Sequence, residues 1–191
     1  SVDVSLFAGD ANFDEFGWGR PAGDPGHAED VEAATRTFAE GAEVLARLLG
    51  IEDPELRCTV GFAHAATDLD LPGRDIAAGT VAGIDIRWEV LCGGRAMAEL
   101  NSRFVMSSKL DRDWTVQHGY LIEVAGDPNI RIKVDIWPDL DDLAALTVEE
   151  MHGIGMRISA LPAVNAIPAV CAAPPGLLTY ADLPTVAGRP S

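Results

Sequence analysis

Apolar residues between positions 24 and 50 recur at steps of three and four, which is the period of an α-helix. The apolar stripe of this segment consists of Val31, Ala34, Phe38, Ala42, Leu45 and Leu49. Asp24 and Pro25 fit an N-cap followed by proline at the first helical position, and Gly50 fits a C-terminal cap. We therefore expect one long helix here.

Between about residue 57 and residue 137 the period of the apolar positions changes to two, which indicates a sheet. The candidate strands are residues 57–65, 80–91, 97–107, 117–124 and 129–137. Glycine-rich turn sequences, Cys92–Arg95 and Gly126–Pro128, separate neighbouring strands. Short connections of this kind predict a largely antiparallel sheet.

The second candidate strand shows the clearest alternation of apolar and charged side chains. Ile84, Ile86, Trp88 and Val90 share one face, and Asp85, Arg87 and Glu89 share the other. We expect the apolar face to pack on helices. The polar face is either open to water or matched against a second subunit.

A second helix is predicted after Thr147, because Thr147 and Glu150 form a capping-box sequence. Its apolar stripe consists of Met151, Ile154, Ile158 and Leu161. Pro162 and Pro168 are expected to break or kink the chain that follows.

No internal repeat or low-complexity linker interrupts the chain, so residues 1–191 are predicted to form a single domain. The expected fold class is α+β. An antiparallel or mixed sheet of about five strands has one face covered by the long N-terminal helix and the C-terminal helices.

The composition narrows the classes of partner. A net charge of -16 predicts no binding to nucleic acid or to an anionic membrane, and no basic patch offsets that charge. No uninterrupted apolar run reaches the roughly 18 residues of a membrane span, and the first residues lack the basic region of a signal peptide. Three scattered cysteines favour a reducing, cytoplasmic location.

Motifs for cofactors, metals and covalent catalysis are missing from the sequence. Gly17 and Gly19 are not followed by a helix, and Gly153 and Gly155 lie inside one, so we expect no nucleotide-binding turn. No histidines stand at metal-ligand spacing, and no serine or cysteine has the context of an activated nucleophile.

The residues left as candidates are polar side chains that strand alternation can place on one side of the sheet. They line either a solvated or subunit-facing surface or a pocket for a carboxylate or amine. The candidate substrate-binding residues are His64, Arg103, His118 and Asn165. His64 and His118 lie in candidate strands, where each acts either as an acid or base or as a structural residue.

Several segments together resemble the C-terminal region of dihydrodipicolinate-reductase-like proteins of the 2,4-diaminopentanoate dehydrogenase group. The segments that carry the resemblance are Phe13–Pro21, Gly79–Glu89, Asp113-Trp114, His118–Tyr120, Gly126–Pro128 and Asn165–Pro184. The resemblance implies a substrate-binding and oligomerisation domain of an NAD(P)-dependent oxidoreductase that acts on an amine, imine or carbonyl carbon.

The same resemblance implies partners that this sequence does not contain. NAD(P) would bind a Rossmann domain, present in cis or in trans, and this chain alone is expected to bind no cofactor and to be inactive. It would bind a small-molecule substrate and form a homodimer or homotetramer, through the polar face of the sheet. The chain lacks the His-His-x-x-Lys-type motif of true dihydrodipicolinate reductases, which leaves the substrate open. A stand-alone binding or interaction module is the alternative.

Overall fold

The computed structural model describes residues 1–9, 11–136 and 147–184. Strand β1 (Val2–Asp3) and two short 3-10 helices (Ser5–Phe7 and Ala11–Phe16) precede helices α1 (His27–Ala34) and α2 (Arg36–Leu48). The strands that follow are β2 (Glu55–His64), β3 (Leu69–Leu71), β4 (Arg74–Ile76), β5 (Val81–Cys92), β6 (Arg95–Val105), β7 (Tyr120–Val124) and β8 (Ile130–Val134). Helix α3 (Val148–Ala172) comes last.

The main sheet has four strands in the order β1-β6-β5-β2. β1 runs parallel to β6, whereas β5 is antiparallel to both of its neighbours, so the sheet is mixed. The α+β class and the mixed sheet are confirmed. The predicted fourth and fifth strands pair only with each other among the named strands, because β7 and β8 form a separate hairpin.

The alternation predicted along β5 is confirmed. Ile84, Ile86, Trp88 and Val90 are buried on the side that faces α1 and α2, whereas Arg87 is exposed. The turn that joins β5 to β6 has Gly93 at φ 57° and Gly94 at φ 78°. This is the conformation that a two-residue hairpin loop requires and that glycine adopts at little cost.

The expected single long helix is two helices. The break lies at Thr35, whose backbone leaves the helical region and whose hydroxyl donates to the Val31 carbonyl at 2.8 Å. Trp88 of β5 donates its indole N–H to the same hydroxyl at 3.4 Å. The break shifts the buried side of α2 to Ala39, Ala42 and Ala46, which allow close packing on the sheet, while Leu49 is exposed.

Of the two predicted ends of the first helical segment, the C-terminal one at Gly50 is confirmed and the N-terminal one is wrong. The N-cap of α1 is Gly26 and not Asp24. At the other end, Gly50 donates to the Arg47 carbonyl and Ile51 to the Ala46 carbonyl. With Gly50 at φ 70°, this is a Schellman cap, as its glycine predicts.

Helix α3 begins at the predicted capping box, where Glu150 and Thr147 exchange side-chain to backbone hydrogen bonds. Pro162 and Pro168 do not break the helix, since α3 continues through both, and the expected kink stays a prediction. A proline removes one backbone donor, and the remaining hydrogen bonds of a 25-residue helix keep it continuous.

One helix in the described part of the chain is long and apolar enough to cross a membrane. It is the segment His152–Ala172 of α3, with a mean hydropathy of 1.4 and 6% of the tested window buried. The sequence prediction missed it because it counted uninterrupted apolar runs. Long core helices of soluble proteins pass the same test, so length and composition alone are weak evidence.

Replacing Ile86 tests the separation of faces along β5. We expect Ile86→Ala to lower the free energy of unfolding by about 2–5 kcal/mol, because Ile86 is fully buried. Arg87→Ala, one residue away on the exposed face, should cost less than about 1 kcal/mol. Urea denaturation measures both variants, with Ile86→Val as a milder probe. Equal losses at positions 86 and 87 would contradict the assignment of faces.

Candidate functional site

The polar face of the main sheet carries ion pairs between neighbouring strands. Arg103 of β6 donates its Nε–H to Asp85 of β5 at 2.9 Å, and Arg57 of β2 pairs with Glu89 at 2.9 Å. A third pair joins Arg87 and Glu99 at 3.3 Å. These three pairs place charges of opposite sign next to each other on this face.

Residues 109–114 run from the β2 edge of the sheet onto this face and cover part of it. Leu110 forms a bridge with Ala65 beyond the end of β2. Trp114 then lies against Gly83 of β5, where a Cβ atom would stand 3.0 Å from the indole ring. The absence of a side chain at Gly83 therefore allows the indole to contact the strand.

The guanidinium of Arg103 is fixed from two sides. Its carbon Cζ lies 4.7 Å from the centre of the Trp114 ring, which is a cation-π distance, and its Nε–H donates to Asp85. The two terminal nitrogens donate to no residue in the described ranges. Arg103 is 29% exposed. It therefore offers two oriented donor nitrogens to a molecule that approaches the sheet.

His64 and Asp111 form a second oriented group at the same end of the sheet. The Asp111 carboxylate accepts from the His64 backbone N–H and lies 2.8 Å from the ring Nδ1, also within hydrogen-bond distance. The Asp111 backbone N–H returns a hydrogen bond to the His64 carbonyl at 2.9 Å. With Nδ1–H as the donor, Nε2 is left as the free acceptor of the ring.

The pKa of the Asp111 carboxyl is held below its usual range by these hydrogen bonds. The largest cause is the backbone N–H of His64, followed by the imidazole of the same residue. Both stabilise the ionised carboxylate. Asp111 is thus a fixed negative charge that orients the His64 ring.

The structure brings two of the four predicted site residues, His64 and Arg103, to one end of the sheet. Gly83 of β5 pairs with Ala63 of β2 on one side and with Val105 of β6 on the other. His64 directly follows Ala63, and Arg103 lies two residues before Val105, so both are close to Gly83. His118 lies outside β7, in the segment before it. Asn165 is half-buried in α3 and makes no hydrogen bond with the described residues.

Sequence reasoning missed two residues of the site, Asp111 and Trp114. Asp111 lies 47 positions from His64, and neither strand period nor motif spacing links them. Trp114 lies on the polar face, against Gly83 and Arg103, and no motif in the sequence places it there. Trp137 falls outside the described residues.

Two further residues with side chains that could take part in chemistry, His27 and Cys58, have surroundings that favour a structural role. His27 is buried, contacts the Phe16 carbonyl at 2.7 Å and stacks on Phe62. Burial and the charge of Glu32 raise the pKa of Cys58 to about 11, so its thiol is protonated at neutral pH and is a poor nucleophile. Among the described residues no group of three His, Cys, Asp or Glu side chains could hold a metal ion.

A nicotinamide dinucleotide does not fit the glycine pair near the N-terminus. The Gly17 amide donates to the Asp14 carbonyl and the Gly19 amide donates to the Val81 carbonyl, so neither is available for a pyrophosphate. Gly153 and Gly155 lie inside α3, as predicted. We therefore describe no reaction step in which the described residues act on a bound nicotinamide cofactor.

Acid titration tests the His64–Asp111 pair. Because the folded-state pKa of Asp111 is depressed, its stabilising contribution is present above the unfolded pKa of about 4 and is lost as the pH falls through the folded value. We expect the wild type to be more stable than Asp111→Asn at neutral pH and to converge with it in acid. Urea midpoints at several pH values measure this, and a difference that does not change with pH would contradict it.

Comparisons with known proteins give no family assignment. No protein-family model matches the chain, and no curated protein matches it. Among solved structures, an amine dehydrogenase from Mycobacterium smegmatis matches 97% of this chain with 20% identical residues and a TM-score of 0.43. The match covers 46% of the dehydrogenase, so this chain spans about half the length of that protein. A likeness of this degree is too low to assign a family or an activity.

Proposed function

We propose that this chain is the substrate-binding and oligomerisation domain of an NAD(P)-dependent oxidoreductase that acts on an amine, imine or carbonyl substrate. The proposal starts from the sequence segments that resemble dihydrodipicolinate-reductase-like proteins. A nucleotide-binding domain, in cis or in trans, would supply the cofactor, because the Gly17 and Gly19 amides already donate within this chain.

The observation that carries the proposal is the fixed guanidinium of Arg103 with unused donors. Asp85 and Trp114 hold it in place, so binding a ligand costs little side-chain entropy. A guanidinium of this kind suits a carboxylate or another electron-rich oxygen of a substrate, which it binds through two parallel hydrogen bonds. We assign Arg103 to the polar end of the substrate.

His64 supports the same function through proton chemistry. Asp111 holds the imidazole in one orientation, and a fixed ring with a free Nε2 suits a proton acceptor or donor beside a reacting amine or carbonyl. No nucleophile is needed for this class of reaction, in agreement with the protonated state of Cys58. Asn165 and His118 remain candidates without a defined role.

Ligand binding to Arg103 variants tests the proposal. We expect small amino acids, 2-oxo acids or amines to shift the indole N–H signal of Trp114 in NMR spectra, assigned with Trp114→Phe. Arg103→Gln should weaken binding about 10-fold to 100-fold, since a charge-assisted hydrogen bond contributes roughly 1.5–3 kcal/mol.

Arg87→Gln is the matched control, because Arg87 lies on the same face and pairs with Glu99. It should leave ligand binding unchanged. Failure of every ligand class to bind, or equal weakening in both variants, would contradict substrate binding at this site. Tight binding of NADPH by the chain alone would contradict the assignment of the cofactor to another domain.

A further inference from the structure

The β7–β8 hairpin has an apolar face that no other described element covers. Tyr120, Ile122 and Val124 of β7 lie directly opposite Val134, Ile132 and Ile130 of β8. All six side chains are between 37% and 57% exposed. The other face carries the pair Arg131–Glu123 together with Leu121 and Lys133. A two-stranded hairpin is marginally stable alone, so its apolar face requires a covering layer.

Helix α3 has a second uncovered apolar surface, which we name the α3 seam. It consists of Met156, Ala160, Ala163, Ile167 and Val170, at steps of four, three, four and three residues. All five are exposed, Met156 at 70%. The side of α3 opposite the seam is partly covered, since Ile154, Ile158 and Asn165 are half-buried. The heptad spacing is typical of a helix face that packs on another element.

Both surfaces are nearly free of charge in a strongly acidic chain. The net charge is -16, yet Arg157 is the sole charged side chain between residues 151 and 178 of the sequence. Two copies of such a chain repel each other unless they meet through neutral surfaces. The hairpin's apolar face and the α3 seam meet that requirement.

The combined size of the two surfaces is of the order that a stable dimer needs. One side of the 25-residue α3 is about 37 Å long and about 10 Å wide. The five-residue strands of the hairpin add about 17 Å by about 10 Å. The projected area is therefore about 550 Å² before side-chain relief is counted, compared with about 800 Å² of accessible surface per partner in a standard interface.

We infer that a second copy of this chain covers both the hairpin's apolar face and the α3 seam in a two-fold dimer. The inference deepens the oligomerisation part of the proposed function and rests on it. It moves the expected interface away from the polar face of the sheet, whose charges already pair within the chain and whose Arg103 is left accessible to a ligand.

A lipid bilayer is the competing cover for α3, because the helix has the length and composition of a membrane span. The helix also carries Arg157, Ser159 and Asn165, and two prolines, within the tested segment. Polar and charged side chains are costly in the centre of a bilayer, so a second copy is the better match.

Light scattering after size-exclusion chromatography tests the inference. We expect the wild-type chain to have twice the mass of one chain. Ile132→Glu on the hairpin's apolar face and Ile167→Glu in the α3 seam should each raise the dimer dissociation constant by about 100-fold or more, because each buries an unpaired charge.

Two variants with the same substitution are matched controls. Leu121→Glu lies on the charged face of the hairpin, and Leu161→Glu lies about 120° around α3 from Ile167. Leu121 and Leu161 are 46% and 51% exposed, close to 47% at Ile132 and 55% at Ile167. Both controls should remain dimeric, and circular dichroism should show that all four variants are folded.

The outcomes separate this inference from the proposed function. A wild-type dimer that Ile132→Glu or Ile167→Glu leaves intact would overturn the inference and leave oligomerisation standing. A wild-type monomer at the highest attainable concentration would overturn both. Flotation of the wild-type chain with neutral phosphatidylcholine vesicles would assign α3 to lipid and also overturn the inference.

Discussion

Strand β5 imposes the constraint on which the rest of the structure depends. It lies between β2 and β6, and its two-residue period directs Ile84, Ile86 and Trp88 towards α1 and α2. The same period directs Asp85 and Arg87 to the opposite face, where charges from the neighbouring strands meet them. One strand therefore builds both the core and the polar surface that carries the candidate site.

The elements that could be predicted are those with a strong local signal. The alternation of β5, the glycine turn at Gly93 and Gly94, the capping box at Thr147 and the C-terminal cap at Gly50 are each encoded within a few residues. Propensity and hydrophobic period decide such features without help from distant parts of the chain.

The features that could not be predicted depend on contacts between distant residues. The break at Thr35 is accompanied by the Trp88 indole, which lies 53 positions away and contacts the hydroxyl at that break. β1 is two residues long and is defined by its pairing with β6. The same limit applies to the site, because Asp111 reaches His64, and Trp114 reaches Arg103, through the path of residues 109–114 onto the polar face. Alternation can place a side chain on a face, whereas it cannot say which loop will cover that face.

In the described part of a single chain, apolar side chains of the hairpin and of α3 stay exposed to water. In the proposed dimer a second copy would cover this surface without using the polar face, so assembly and ligand binding would occupy different surfaces. Hydrogen–deuterium exchange at two protein concentrations tests this division most directly. The account predicts that amides of β7, β8 and α3 become more protected as the concentration rises, while those of β5 stay unchanged. Exchange in the hairpin and α3 that is the same at both concentrations, as the chain passes from monomer to dimer, would contradict it.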